Sequence, residues 1–221
     1  MHGVFDIIGP IMIGPSSSHT AGAVRLGLMA RKVLGEPVTR AGIMLSGSFA
    51  QTYRGHGTDK ALIAGVLGMK PDDERIRDSL SIAKEQGLEF AFQKADIPGA
   101  HPNTAELHLT GLHQNIAVVR GASVGGGNIL ITKINDYYVE LAGRYPAVVT
   151  IQRDQPGVIM NITSILGMGG LNIAFMHVAR KNRGEEAMTI LELDEEPLPS
   201  VIEAIKGVDG IQQAFSIPAI G

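Results

Sequence analysis

The order of elements after residue 146 constrains the fold more than any other feature of the chain. Residues 147–152 alternate as a strand and run into the turn Asp154-Gln155-Pro156-Gly157, with Pro156 placed to open a helix. Val158, Ile162, Ile165 and Leu166 then recur at helical spacing, and the glycines of 167–170 stop the run. Strands over 172–180 and 187–193 flank the hairpin turn Lys181-Asn182-Arg183-Gly184, followed by a helix over 199–205 and a last strand over 211–217. The sequence β-α-β-β-α-β is a split βαβ unit: a four-stranded sheet with two helices on one face. Gly143-Arg144-Tyr145-Pro146 separates it from what precedes. The chain therefore divides into residues 1–143, a linker at 144–147 and a second domain at 148–221, with an α+β fold class overall.

The first 143 residues mix helix and strand patterns. An apolar start over 1–13 reads as a short helix or strand. A helix is expected over 21–34, ended by Gly35-Glu36-Pro37, then a strand over 38–46. A helix over 60–67 and another over 73–86, opened by Pro71-Asp72-Asp73-Glu74, lead to strands over 88–94, 105–110 and 115–121. Residues 128–134 and 137–141 read as a hairpin turning at Asn135-Asp136.

Polar turns punctuate this domain where chemistry can sit. Gly14-Pro15-Ser16-Ser17-Ser18-His19-Thr20 places hydroxyls and a histidine at the start of a helix, and free backbone N–H groups there favour a carboxylate or phosphate. Gly55-His56-Gly57-Thr58-Asp59 repeats the pattern of glycine turn, histidine, hydroxyl and helix start. Two such helix N-termini can converge on one anion, with the histidines as acid or base. Ser46-Gly47-Ser48 is a further polar cluster, and His101-Pro102-Asn103-Thr104 is another histidine turn. Ser123 to Gly127 is glycine-rich, but it lacks the lysine of a phosphate-binding loop and the glycine order of a dinucleotide fingerprint.

Composition excludes several classes. The 221 residues are 44% hydrophobic and 19% charged, enough to bury a core. A net charge of -3 with no basic block, and no tryptophan, argues against a nucleic-acid partner. No run is long and apolar enough for a membrane span, and the start lacks the basic-then-apolar order of a signal peptide, so a cytoplasmic location is expected. The absence of cysteine excludes disulfides and any thiolate-held metal or cluster on this chain.

Two resemblances follow from these motifs. Asp154-Gln155-Pro156-Gly157 after the first strand, with Gly170-Leu171-Asn172-Ile173 entering the second, resembles the ACT domain, a ferredoxin-like amino-acid-sensing module. The resemblance implies ligand contacts from Asp154, Pro156, Gly157, Leu171 and Asn172, and self-association through this domain. Pro-Ser-Ser-Ser-His-Thr, Gly-His-Gly-Thr-Asp and His-Pro-Asn-Thr ahead of such a module resemble the beta chain of iron–sulfur L-serine dehydratases. The first domain is then similar to the allosteric substrate-binding domain of some phosphoglycerate dehydrogenases. The family converts L-serine to pyruvate and ammonia with a [4Fe-4S] cluster. With no cysteine here, the cluster is expected on a separate alpha chain, its open iron a Lewis acid for the leaving hydroxyl. The resemblance implies that Ser16, Ser17, Ser18 and Thr20 bind the serine carboxylate. His19 and His56 share the acid–base work, with His56 favoured as the Cα base and the order of the two left open. His101 and Asn103 are weaker substrate-site candidates. A monovalent cation such as potassium is a further expectation, and a non-catalytic sensing subunit is the alternative reading.

Overall fold

A computed structural model describes Met12, Ile13 and residues 16–220. The rest of the stretch read over 1–13, and Gly14-Pro15, lie outside the described residues. The chain forms two compact units that divide after Asn135.

In the first unit a π-helical turn, Ser17–Gly22, runs into α1, Ala23–Leu34. Strand β1, Val38–Leu45, is followed by two short helices, α2 at Gly47–Thr52 and α3 at Thr58–Val66. A 3₁₀ turn, Glu74–Asp78, precedes α4, Ser79–Glu85. Strands β2 (Glu89–Lys94), β3 (Thr104–Gly111), β4 (Ile116–Gly125) and β5 (Asn128–Ile134) lie with β1 in one sheet, neighbours in the order β2-β1-β3-β4-β5. Only the β1–β2 pair is parallel, with Ile43 opposite Phe92, while Ile43 also faces Leu107 across the antiparallel β1–β3 pair.

Alternation sorts these strands into two faces. Ala41, Ile43, Leu45, Leu107, Leu109 and Val119 are buried with Leu26, Met29, Leu62 and Ile63 of α1 and α3. The two helices cross at glycines. A Cβ on Gly27 would fall 2.2 Å from the Leu62 carbonyl oxygen, and one on Gly65 2.0 Å from that of Val24. Their backbones touch, so no side chain fits between them. On the opposite strand parity, Glu106 is buried but compensated, accepting from Arg120 Nε at 2.6 Å and pairing with His108 Nε2 at 2.8 Å.

Local competition explains the departures from periodicity. The single helix read over 73–86 is broken. The Asp73 carboxylate accepts from Arg75 N–H at 2.9 Å to start a 3₁₀ turn, and the fully buried Ser79 hydroxyl donates to the Lys60 carbonyl at 2.7 Å. The helix expected from residue 21 begins at Ser17 as a π turn instead, which places Ser17 and Ser18 inside the helix with Ser16 as its cap. Helix α2 stands where the sequence shows only the polar cluster Ser46-Gly47-Ser48.

The second unit holds β6 (Tyr137–Leu141), β7 (Ala147–Arg153), α5 (Val158–Met168), β8 (Ile173–Arg180), β9 (Glu186–Leu193), α6 (Pro199–Lys206) and β10 (Ile211–Ile217). Strands β7 to β10 form an antiparallel sheet in the order β10-β7-β9-β8, the ferredoxin-like arrangement. Val148, Leu191, Leu193 and Ala214 meet Val158, Ile162, Leu166, Ile202 and Ile205 in its core. Pro199 opens α6 as its ring geometry favours. Pro156 does not open α5: Gly157 takes the N-cap in the left-handed region at φ 92°, and the helix begins at Val158. Beneath the helices Thr150 Oγ1 donates to Gln152 Oε1 at 2.8 Å, and Gln152 Nε2 to Thr189 Oγ1 at 2.5 Å, which satisfies three buried polar side chains mutually.

Candidate active site

The histidine of the serine stretch sits in the first turn of a helix whose cap is Ser16. Ser16 has extended backbone, φ -135°, and its Oγ accepts the His19 backbone N–H at 3.2 Å. The π turn beyond it carries the His19 ring toward α2. There the Ser48 hydroxyl lies 3.3 Å from His19 Nε2, and Ser16 Oγ lies 3.4 Å from Nδ1. Both ring nitrogens thus face a hydroxyl. The edges and faces are occupied as well: the Phe49 ring packs at 5.2 Å and the His56 ring at 4.8 Å, nearly perpendicular.

His56 arrives by a different route. After α2 ends at Thr52 the chain keeps turning, with His56 N–H donating to the Thr52 carbonyl at 2.9 Å. Gly57, at φ 70°, then reverses it into α3. The result is an exposed imidazole against the partly buried one of His19. Burial, and then the nearby His56, push the His19 pKa below its ordinary value. A helix N-terminus disfavours an imidazolium as well, but burial is the leading cause here.

The loop at 101–103 buttresses this arrangement. His101 Nδ1 accepts from Asn103 N–H at 3.1 Å, and the Pro102 carbonyl accepts from Phe49 N–H at 3.3 Å. A Cβ on Gly47 would fall 2.5 Å from the Pro102 oxygen, so only glycine lets the loop seat against the start of α2. His101 and Asn103 shape the loop that supports Ser48 and Phe49, and neither side chain hydrogen-bonds to His19 or His56.

The expected pair of converging helix N-termini is not formed by α3. Its first N–H groups are already engaged, Thr58 donating to the Tyr53 carbonyl at 2.8 Å and Lys60 to its neighbour Asp59 at 2.8 Å. Ser16, Ser17 and Ser18 are partly buried and Thr20 is buried, all on the turn that bears His19. Ser48 is the residue that sequence reasoning passed over; its only signal was the Ser46-Gly47-Ser48 cluster.

In the second unit the Asp154 carboxylate accepts from Arg180 Nη1 at 2.9 Å and from the Gly184 N–H at 2.9 Å, which hold its pKa below the usual carboxylate range. Asn172 Nδ2 donates to Asp194 at 2.7 Å. Pro156 and Gly157 are exposed and Leu171 is partly buried.

Comparison with known proteins supplies the family. Residues 3–133 match the model of the serine dehydratase beta chain, and residues 147–210 match the ACT domain. This chain belongs to the serine dehydratase beta chain family. It is 39% identical over 214 residues to a probable L-serine dehydratase beta chain of Bacillus subtilis, covering 97% of each. It is 36% identical over 210 residues to an L-serine dehydratase beta chain of Peptoniphilus asaccharolyticus, covering 94% of each. A D-3-phosphoglycerate dehydrogenase of Synechocystis is 28% identical over 197 residues, which cover 88% of this chain and 35% of that protein. The likeness to phosphoglycerate dehydrogenases that the family resemblance implies is thus found in sequence. No helix among the described residues is long and apolar enough to cross a membrane.

Proposed function

We propose that this chain is the catalytic beta subunit of an L-serine ammonia-lyase, active with an alpha chain. The observation that carries the reading is the His19–His56 pair, 4.8 Å apart and edged by Ser16 and Ser48. Serine loss of water needs a base at the weakly acidic Cα proton. His56 is exposed and its ring makes no hydrogen bond among the described residues, so its lone pair is open to substrate. His19, with both nitrogens engaged, binds and orients. As His56 takes the Cα proton, the Cα–H electron pair forms the Cα–Cβ double bond and the Cβ–O bond breaks. The removed proton and the departing hydroxide make the water lost. The aminoacrylate left behind takes up water to give pyruvate and ammonia. Hydroxyls of Ser17, Ser18 and Thr20 supply donors for the substrate carboxylate, while the single Ser16 hydroxyl is turned to His19.

The donor set of this chain does not fit an iron–sulfur cluster. It has no cysteine, and among the described residues no three His, Asp or Glu side chains gather as ligands. The [4Fe-4S] cluster of the family is therefore assigned to the alpha chain, and no step on this chain is routed through it. The ACT domain is read as the regulatory part, with its exposed Pro156 and Gly157 beside the place for a small ligand such as serine or potassium.

The test is pyruvate formation from L-serine by the reconstituted alpha–beta complex under anaerobic conditions. Changing His56 to Ala should lower kcat by about 10²–10⁴-fold, the worth of a positioned base. Activity within about tenfold of wild type removes His56 from the role. Serine binding to the chain with no turnover in any complex would instead make it a sensing subunit.

A further inference from the structure

We infer that Ser48 is a positioning residue for His19, holding its ring in the tautomer that Ser16 favours. This rests on the catalytic reading above and deepens it.

A neutral imidazole carries one N–H and one lone pair, and its neighbours decide which nitrogen has which. Ser16 Oγ already accepts the His19 backbone N–H at 3.2 Å, so its own proton is free to point at Nδ1, 3.4 Å away. Nδ1 is then the acceptor, and the ring proton resides on Nε2. Its acceptor is Ser48 Oγ at 3.3 Å. Ser48 is held in turn by the helix it belongs to, since Thr52 Oγ1 donates to the Ser48 carbonyl at 2.8 Å. Two serines, 32 positions apart in the chain, clamp one ring from both sides.

The clamp matters because of what stands next to it. His56 becomes cationic when it takes the Cα proton, and its ring centroid is 4.8 Å from that of His19. A second cation there would oppose that step. With the Ser16 O–H aimed at Nδ1, a second proton there must displace that hydrogen bond, which works against a cationic His19. Ser48 keeps the ring from rotating out of that arrangement, and retains its own O–H for a group bound beside His19. Among the described residues no carboxylate contacts the His19 ring, so nothing there draws a second proton onto it.

The experiment uses the full chain with ¹⁵N-labelled histidine, read by NMR between pH 5 and 8 in steps of about half a unit. The Ser48→Ala and Ser48→Thr variants are compared with wild type, and the His19→Gln spectrum identifies the His19 signals. Wild type should show the Nε2–H form alone. Ser48→Ala should show averaged nitrogen shifts and a titration midpoint moved up toward about 6.5, the ordinary histidine value. Ser48→Thr should restore the wild-type pattern. In the reconstituted complex Ser48→Ala should lower kcat about tenfold while KM for L-serine changes less than about twofold, and Thr should rescue it. Identical His19 spectra in wild type and Ser48→Ala overturn the inference. So does an altered spectrum with unchanged kcat, because the clamp then has no part in the reaction. If His56→Ala keeps full activity while the Ser48→Ala spectrum changes as expected, it is the catalytic reading that fails and not the clamp.

Discussion

The two motif-bearing regions of this chain solve opposite electrostatic problems. His19 meets hydroxyls and the rings of Phe49 and His56, and no ion pair forms there among the described residues. At the Asp154 turn a full charge is present and is neutralised within the unit, by Arg180 and the Gly184 N–H. The first arrangement leaves an imidazole free to accept a proton. The second spends its carboxylate on holding the 181–184 hairpin turn in place. A motif residue that is conspicuous in sequence can therefore be a reactive group in one region and a structural tie in the other.

The sharpest way to break the comparison is to remove the apolar floor of the first region. Phe49 is fully buried and its ring backs His19. Phe49→Ala should cost about 3–5 kcal/mol of stability, measured by urea unfolding, as truncation of a core aromatic does. The same change should raise the His19 midpoint, since burial is its leading perturbation.

A smaller effect separates the regions by pH. His19 has a lowered folded pKa, so the unfolded chain binds the extra proton first. Stability should fall as pH drops below about 6.5, the unfolded histidine value, and level off below the folded one. Asp154 is also lowered, but its window lies lower: its contribution is present above about 3.9, the unfolded aspartate value, and is lost as pH falls through the folded value. Thermal unfolding of His19→Gln should lack the upper slope and keep the lower one. A His19→Gln profile that matches wild type would show that the ring is not held neutral by the fold.

The smallest expected effect is at the ion pair itself. Arg180 is exposed, so Arg180→Ala should move Tm by no more than about 2 °C, the range of an exposed pair. Proteolysis at the 181–184 turn should nonetheless quicken, because Asp154 then has only the Gly184 N–H. A large loss of stability would mean that the pair is a core feature and that the contrast between the regions is overstated.

Much of this was legible before the fold. The split βαβ order over 147–217 follows from alternation, helical spacing and turn residues, and β5, β6 and β10 begin and end where the alternation does. The Ser-Ser-Ser-His-Thr and Gly-His-Gly turns were conspicuous because glycine, serine and histidine cluster rarely by chance. Three things were not legible. The π turn looks like a capped α-helix in sequence, since both use the same Ser16 cap. Helix α2 has six residues, too few to show a period. Ser48 gains meaning only from His19, 29 positions away.

By itself the sequence determined the two-part architecture, the family and the short list of histidines and hydroxyls, because periodicity and turn chemistry are local properties. Only the tertiary structure decided which of them meet. Backbone contact at Gly27 and Gly65 fixes α1 against α3, and the Pro102 loop seats α2 beside the π turn. That packing brings Ser16, His19, Ser48 and His56 to one place, and leaves His101 and Asn103 supporting it. The physical reason is that a hydrogen bond between distant residues depends on the sum of every contact between them, which no short stretch of sequence contains.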